Sequence, residues 1–205
     1  MIPTLYSMPS SGNSYKVRLL LAHLGLPYTH VACEYGTPAL EQAHATGKLP
    51  LGKLPALHLA DGRVLAESNA ILCWLGEGTG WIPADPFARA EMLAWMFWEQ
   101  NQHEGTIAVR AALLTYPHRA AQATPERLAA LLEQGHHLLG QMEQTLTDRP
   151  FLAGDTPSLA DIALYAYTHS AGTLGGFDLT GFPAIRDWLA RIAALPGHVT
   201  LDHLP

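Results

Sequence analysis

The chain changes periodicity once, near residue 77, and that change limits what it can fold into. Before it, short β-prone runs alternate with helical stretches. Ile2 to Tyr6 is a β-prone run, followed by the polar turn Pro9-Ser10-Ser11-Gly12-Asn13-Ser14. Val17, Leu20, Leu21 and Leu24 then recur at helical spacing, and Gly25 followed by Pro27 ends that helix. Tyr28 to Cys33 reads as a second strand, and Pro38 to Gly47 as a weaker helix. Leu54 to Leu59 and Arg63 to Ala66 flank an Asp61-Gly62 turn, a hairpin signal. Ser68 is placed to cap a last helix carrying Ile71, Leu72 and Leu75. The order β-α-β-α-β-β-α predicts a small mixed sheet with helices on both faces.

After the change the pattern is helical throughout. Pro86 to Tyr116 is one long stretch with Gly105 as a candidate kink. Thr124-Pro125 opens a helix to Leu146, with Thr as cap and Pro at the first helical position. Ser158-Leu159-Ala160-Asp161 has capping-box spacing, and Pro183 to Leu195 supplies a final amphipathic helix. Gly76, Gly78, Gly80, Pro83 and Pro86 mark the boundary. The expected fold class is therefore α+β: a mixed domain over 1–77, a linker over 78–87 and an all-α domain over 88–205.

Charge divides at the same place. Residues 1–77 carry five basic and five acidic groups, whereas 78–205 carry seven arginines against thirteen carboxylates, which accounts for the net charge of −6. An acidic chain with no basic block argues against nucleic acid as a partner. No membrane span is expected, because the longest apolar run, Met92 to Trp98, has seven residues. The N-terminus lacks a basic segment followed by an apolar one, so a cytoplasmic location is the expectation. Cys33 and Cys73 form no CxxC and read as small buried hydrophobes. The eleven histidines, His136-His137 included, show no ligand spacing, so no metal is expected.

Four segments in this order resemble the cytosolic glutathione S-transferases. They are Ser11-Gly12-Asn13-Ser14 with Lys16-Val17-Arg18 behind it, Gly52-Lys53-Leu54-Pro55-Ala56-Leu57, Glu67-Ser68-Asn69-Ala70-Ile71, and Ser158 to Asp161. The resemblance implies a thioredoxin-like first domain followed by a helical domain. It also implies glutathione as co-substrate, a small hydrophobic electrophile and a homodimer.

Each segment has its own physical reading. A Ser- and Gly-rich turn ahead of a helix collects backbone amides and the positive end of the helix dipole, so a thiol held there would ionise more readily. Read alone, Ser11 is a helix cap. By the resemblance, Ser11 matches the catalytic serine of zeta-like enzymes and Asn13 the thiol-contacting asparagine of Nu-like ones, with Ser10 and Ser14 as further candidates. The turn has no cysteine, unlike beta- and omega-like classes, and Tyr6 reads as structural.

The resemblance further implies a cis Leu54-Pro55 bond, with the backbone of Leu54 pairing with the cysteinyl backbone of glutathione. Lys53 would meet the glycine carboxylate. Glu67 would hold the γ-glutamyl ammonium, and Ser68 with its helix amides the α-carboxylate. Met8, His103 and Glu104 are the candidates for the co-substrate pocket, between the turn and the first long helix. The expected reaction is thiolate attack on an electrophilic carbon or peroxide. Glutathione-dependent disulfide or peroxide reduction is the alternative if Asn13 contacts the sulfur. A non-catalytic binding module of the same fold is an alternative of another class.

Overall fold

The structure, a computed structural model, describes residues 2–205. Met1, included in the expected first domain, lies outside the described residues. Strand β1 (Thr4–Ser7) is central, between β2 (Thr29–Ala32) in parallel and β3 (Ala56–His58) antiparallel, and β4 (Val64–Ala66) completes the order β2-β1-β3-β4. A parallel β1–β2 pair requires a crossover, and helix α1 (Gly12–His23) is that crossover. Helices α2 (Pro38–Ala45) and α3 (Ser68–Gly76) follow β2 and β4. The β-α-β-α-β-β-α order read from the sequence is therefore the observed order.

Strand alternation separates two buried layers. Tyr6 and Ala56 face one another across β1 and β3 and pack with Cys33, Ala43 and Leu49 on the α2 side. Leu5 and Leu57, paired one residue earlier, are fully buried on the opposite face. Helix α1 packs beside α3 and is enclosed almost all round from Gly12 to Leu21, well beyond the apolar stripe its spacing predicts. Residues 195–205 explain the difference, because they group with 1–79 rather than with the helices they follow. Tyr15 donates its hydroxyl to Val199 O at 2.7 Å, and Arg18 Nη2 donates to Leu201 O at 2.8 Å.

The second unit, 80–194, is helical. Helix α4 (Pro86–Trp98) runs into a π-helical segment (Glu99–Ala108) and on into α5 (Val109–Thr115). Gly105 therefore sits inside a wider helix rather than at a break. A 3₁₀ turn (Pro117–Gln122) leads to α6 (Pro125–Asp148), which Thr124 caps by accepting Arg127 N–H at 3.3 Å. Helices α7 (Leu159–Thr168), α8 (Ala171–Gly175) and α9 (Pro183–Ala193) complete the unit. The Phe177 ring lies against the backbones of Gly135 and Gly175, where an added Cβ would approach it to 2.2 and 2.8 Å.

Asp161 is the hub of this unit. Its carboxylate, fully buried, accepts Ser158 N at 2.8 Å, Ser158 Oγ at 3.0 Å, Leu152 N at 3.0 Å and Trp188 Nε1 at 2.9 Å. Burial pushes this carboxyl upward, and the four donors pull against it. No helix among the described residues is long and apolar enough to cross a membrane.

Candidate active site

The turn between β1 and α1 is held from several sides. Met8 N donates to Ser14 Oγ at 2.9 Å, and Ser11 N donates to Met8 O at 3.1 Å. Ser14 is fully buried in this bracing role, which removes it as a candidate contact for a thiol. Ser10 is equally committed: its hydroxyl donates to Glu34 Oε1 at 2.9 Å and its N–H to Glu34 Oε2 at 3.0 Å. Ser11 is the N-cap of α1, where its Oγ accepts Ser14 N at a long 3.5 Å.

Arg18, enclosed at 1% exposure, reaches back under the same turn. It donates to Pro9 O at 2.9 Å, Ser7 Oγ at 3.2 Å and Met8 O at 3.4 Å. Its desolvation draws the guanidinium below its ordinary range, and the carbonyls compensate by accepting from it. Ser7 Oγ lies 2.7 Å from His30 Nε2. The same oxygen accepts from Arg18, and its proton can go to Nε2 when His30 is neutral. Burial and then the Arg18 charge lower the His30 pKa, in keeping with that form.

The third candidate segment meets the first. Ser68 Oγ donates to Asn13 Oδ1 at 3.1 Å, which joins the first turn of α3 to the first turn of α1. The Asn13 amide oxygen is thereby committed to Ser68. Ser68, expected as a cap, is instead the first helical residue, and the cap position falls on Glu67 without a side-chain cap bond. Glu67 is exposed and is the one non-glycine residue with positive φ (67°) among those described. The Leu54-Pro55 bond is cis. Lys53 is exposed just before it, on the approach to β3.

The co-substrate candidates divide. Met8 is half-buried in the turn, and Glu104 is half-exposed and accepts from Gln100 Nε2 at 2.7 Å. His103 does not fit a pocket lining: it is fully buried in the helical unit, with Nε2 3.0 Å from Thr168 Oγ1 and its ring 5.8 Å from that of Trp98. The π segment packs against both α6 and α7, which encloses it. Tyr6 packs against His58 with ring centres 4.7 Å apart and the planes tilted by 49°. Cys33 is buried with its thiol pushed upward by desolvation, and Cys73 is half-buried. No group of three His, Cys, Asp or Glu suited to a metal occurs among the described residues.

What sequence reasoning missed are Glu34 and Arg18 as supports of the turn. The parallel register was the available signal: it pairs Ser7 with Ala32 and so brings the residues after β2 beside those after β1.

Comparison with known proteins identifies the family. A glutathione S-transferase from Pseudomonas fluorescens Pf-5 superposes with a TM-score of 0.91 at 40% identity, covering 98% of this chain and 99% of that one. A glutathione transferase from Burkholderia graminis, solved with two glutathione molecules bound per subunit, gives 0.81 at 27% identity, covering 96% and 85%. The disulfide-bond oxidoreductase YfcG of Escherichia coli is 29% identical over 94% of this chain and 90% of its own length. The glutathione S-transferase N-terminal domain profile matches residues 5–80 and the C-terminal domain profile residues 106–196. With a thioredoxin-like first unit and a helical second one, the chain belongs to the glutathione S-transferase family.

Proposed function

We propose that the first unit binds glutathione and that Ser11 holds its thiol as a thiolate for attack on a small apolar electrophile. The observation that carries this reading is the Ser68–Asn13 hydrogen bond of 3.1 Å. Through it two helix N-termini meet, and each favours negative charge. One serves the thiolate and the other the γ-glutamyl α-carboxylate, while Glu67 takes the ammonium between them. Ser68, at 3% exposure, contributes through its helix amides and by fixing Asn13. Lys53 meets the glycine carboxylate, and the Leu54 backbone pairs with the cysteinyl backbone as a short strand edge. The Ser11 oxygen accepts the cap bond, and its hydroxyl hydrogen is the donor to sulfur. No protein thiol takes part.

The reaction needs no metal. The glutathione S–H proton leaves to solvent, the thiolate is stabilised by the α1 terminus and Ser11, and sulfur attacks the electrophilic carbon as the leaving group departs. Met8, half-buried in the turn ahead of Ser11, remains the candidate beside the electrophile.

Glutathione-dependent disulfide reduction is a second reading, favoured by the place of Asn13 in the first turn of α1 and by the similarity to the E. coli oxidoreductase. One comparison separates them: thermal shift with glutathione, then conjugation of a chloronitrobenzene and reduction of a mixed disulfide, in wild type, Ser11→Ala and Asn13→Ala. Loss of one directed donor at the sulfur should lower kcat about a hundredfold. If Ser11→Ala lowers conjugation and spares KM for glutathione, Ser11 is the thiol contact. If only Asn13→Ala lowers activity, and on the disulfide, the second reading replaces the first. No stabilisation by millimolar glutathione would overturn both, and stabilisation with neither activity would make the chain a binding module.

A further inference from the structure

We infer that Glu34 is a positioning residue for the thiol-activating turn: its carboxylate grips Ser10 and thereby sets the orientation of Ser11. The inference rests on the glutathione reading above but assigns a residue outside the ligand-contacting set.

Both oxygens of Glu34 are spent on one neighbour of Ser11. Oε2 accepts the Ser10 N–H at 3.0 Å and Oε1 accepts the Ser10 hydroxyl at 2.9 Å, with Oε1 also accepting Tyr35 N–H at 3.0 Å. Two parallel bonds from one carboxylate fix direction as well as distance. From the opposite side Arg18 donates to the carbonyls of Met8 and Pro9. The segment from Met8 to Ser10 therefore has its carbonyls held by a cation on one strand-crossing helix and its amide held by an anion from the loop after β2. Ser11 is the next residue, so any rotation of Ser10 about its backbone carries the Ser11 hydroxyl with it.

Glu34 is anchored independently of Ser10. Its own carbonyl accepts Thr37 Oγ1 at 2.7 Å and Thr37 N at 3.2 Å, and Cys33 N donates to Ser7 O at 2.8 Å, which extends the β1–β2 ladder to its doorstep. These bonds use backbone atoms and survive any side-chain change at residue 34. The clamp also lies at the surface: Ser10 is exposed and Glu34 half-exposed, so water replaces the carboxylate when it is removed. The clamp thus contributes little to the stability of the fold, and its value lies in geometry.

Charge supplies the decisive sign. A carboxylate beside a thiolate site opposes thiolate formation, so deleting Glu34 would by Coulomb interaction alone favour the thiolate and raise activity. Loss of orientation predicts the reverse, since a small misplacement of a donor at the reacting atom costs rate rather than binding.

The test measures Tm, the ultraviolet absorbance of glutathione thiolate in the bound complex as a function of pH, and kcat and KM for conjugation, in wild type, Glu34→Ala and Glu34→Gln. We expect Glu34→Ala to keep its Tm within a few degrees of wild type, to leave KM for glutathione unchanged and to lower kcat about tenfold. The bound thiol should ionise at higher pH. Glu34→Gln, which keeps one acceptor oxygen, should recover part of the loss. Unchanged or raised kcat in Glu34→Ala overturns the clamp. So does a rise in KM at constant kcat, which would make Glu34 a ligand contact. If wild type itself shows no bound thiolate, the glutathione reading falls and the clamp with it, whereas a wild-type signal that Glu34→Ala leaves untouched removes the clamp alone.

Discussion

Glu67 occupies a backbone conformation that glycine would adopt at less cost, with φ at 67° and ψ at 116°. A non-glycine residue there stores about 1–3 kcal/mol, and such strain is retained where the side chain is needed. Glu67→Gly should therefore match or exceed the wild-type Tm. Loss of a charged hydrogen bond worth about 1.5–3 kcal/mol should meanwhile weaken glutathione binding about ten- to hundredfold, as read by calorimetric titration. A fall in both Tm and affinity would instead make the residue structural. His30 yields a second prediction, in pH. Its folded pKa lies below the ordinary value near 6.5, through burial first and Arg18 second. A depressed pKa means that the unfolded chain binds the proton more tightly, so the contribution of His30 is intact above about pH 6.5 and is lost as pH falls through the folded value. His23 is shifted the same way by burial, which its hydrogen bond to the carbonyl of Pro196 opposes. Tm should accordingly decline on acidification from neutral pH, and His30→Gln, which retains an acceptor for Ser7, should flatten that decline in part.

Among the elements, the Ser158 to Asp161 box shows how far local spacing reaches. As a cap alone it would be worth about 0.5–2 kcal/mol. Its carboxylate also takes Trp188 Nε1 from α9 and Leu152 N from the loop before α7, so removing it strands buried donors on three segments. Asp161→Ala should cost about 3 kcal/mol or more, lowering Tm by roughly 6–12 °C in thermal denaturation. A loss within the range of a single cap would show that water enters and satisfies those donors. The box was legible in the sequence because a capping motif is local; the partners at Leu152 and Trp188 were not, because tertiary packing chooses them. The same division runs through the chain. The strand and helix order followed from periodicity and from glycine and proline punctuation, and Asp61-Gly62 and Thr124-Pro125 marked their turn and cap. The π segment from Glu99 to Ala108 had no local signal: its polar run Glu-Gln-Asn-Gln-His-Glu carries no apolar stripe, yet Glu99 and His103 are fully buried. Ser68 was legible as a helix start but not as the partner of Asn13, 55 residues away, and Glu34 was unreadable as the partner of Ser10 for the same reason.

The low charge of the whole chain, 15% against the roughly 25% usual in soluble domains, goes with apolar surface left open at several large side chains. Helix α4 locates part of it. Its run Met92 to Trp98 is apolar all round, and such a helix has to bury more than one face. Met92 and Met96, four residues apart, are buried at 1% and 2%, whereas Phe87 and Phe97 on the same helix stand 74% and 71% exposed. A phenylalanine left this open forfeits about 1.5–3 kcal/mol that burial would provide. A second copy of the chain is the simplest cover, as the family resemblance implies, because a two-fold contact uses the same patch twice and doubles what one substitution removes. Sedimentation of the wild-type chain at micromolar concentration should give a dimer. Phe87→Glu together with Phe97→Glu should shift it to monomer, with the far-ultraviolet circular dichroism of the folded chain retained, since neither side chain belongs to the core. A dimer that survives both charges would place the contact on another surface, and a wild-type monomer would leave the two rings to a different partner.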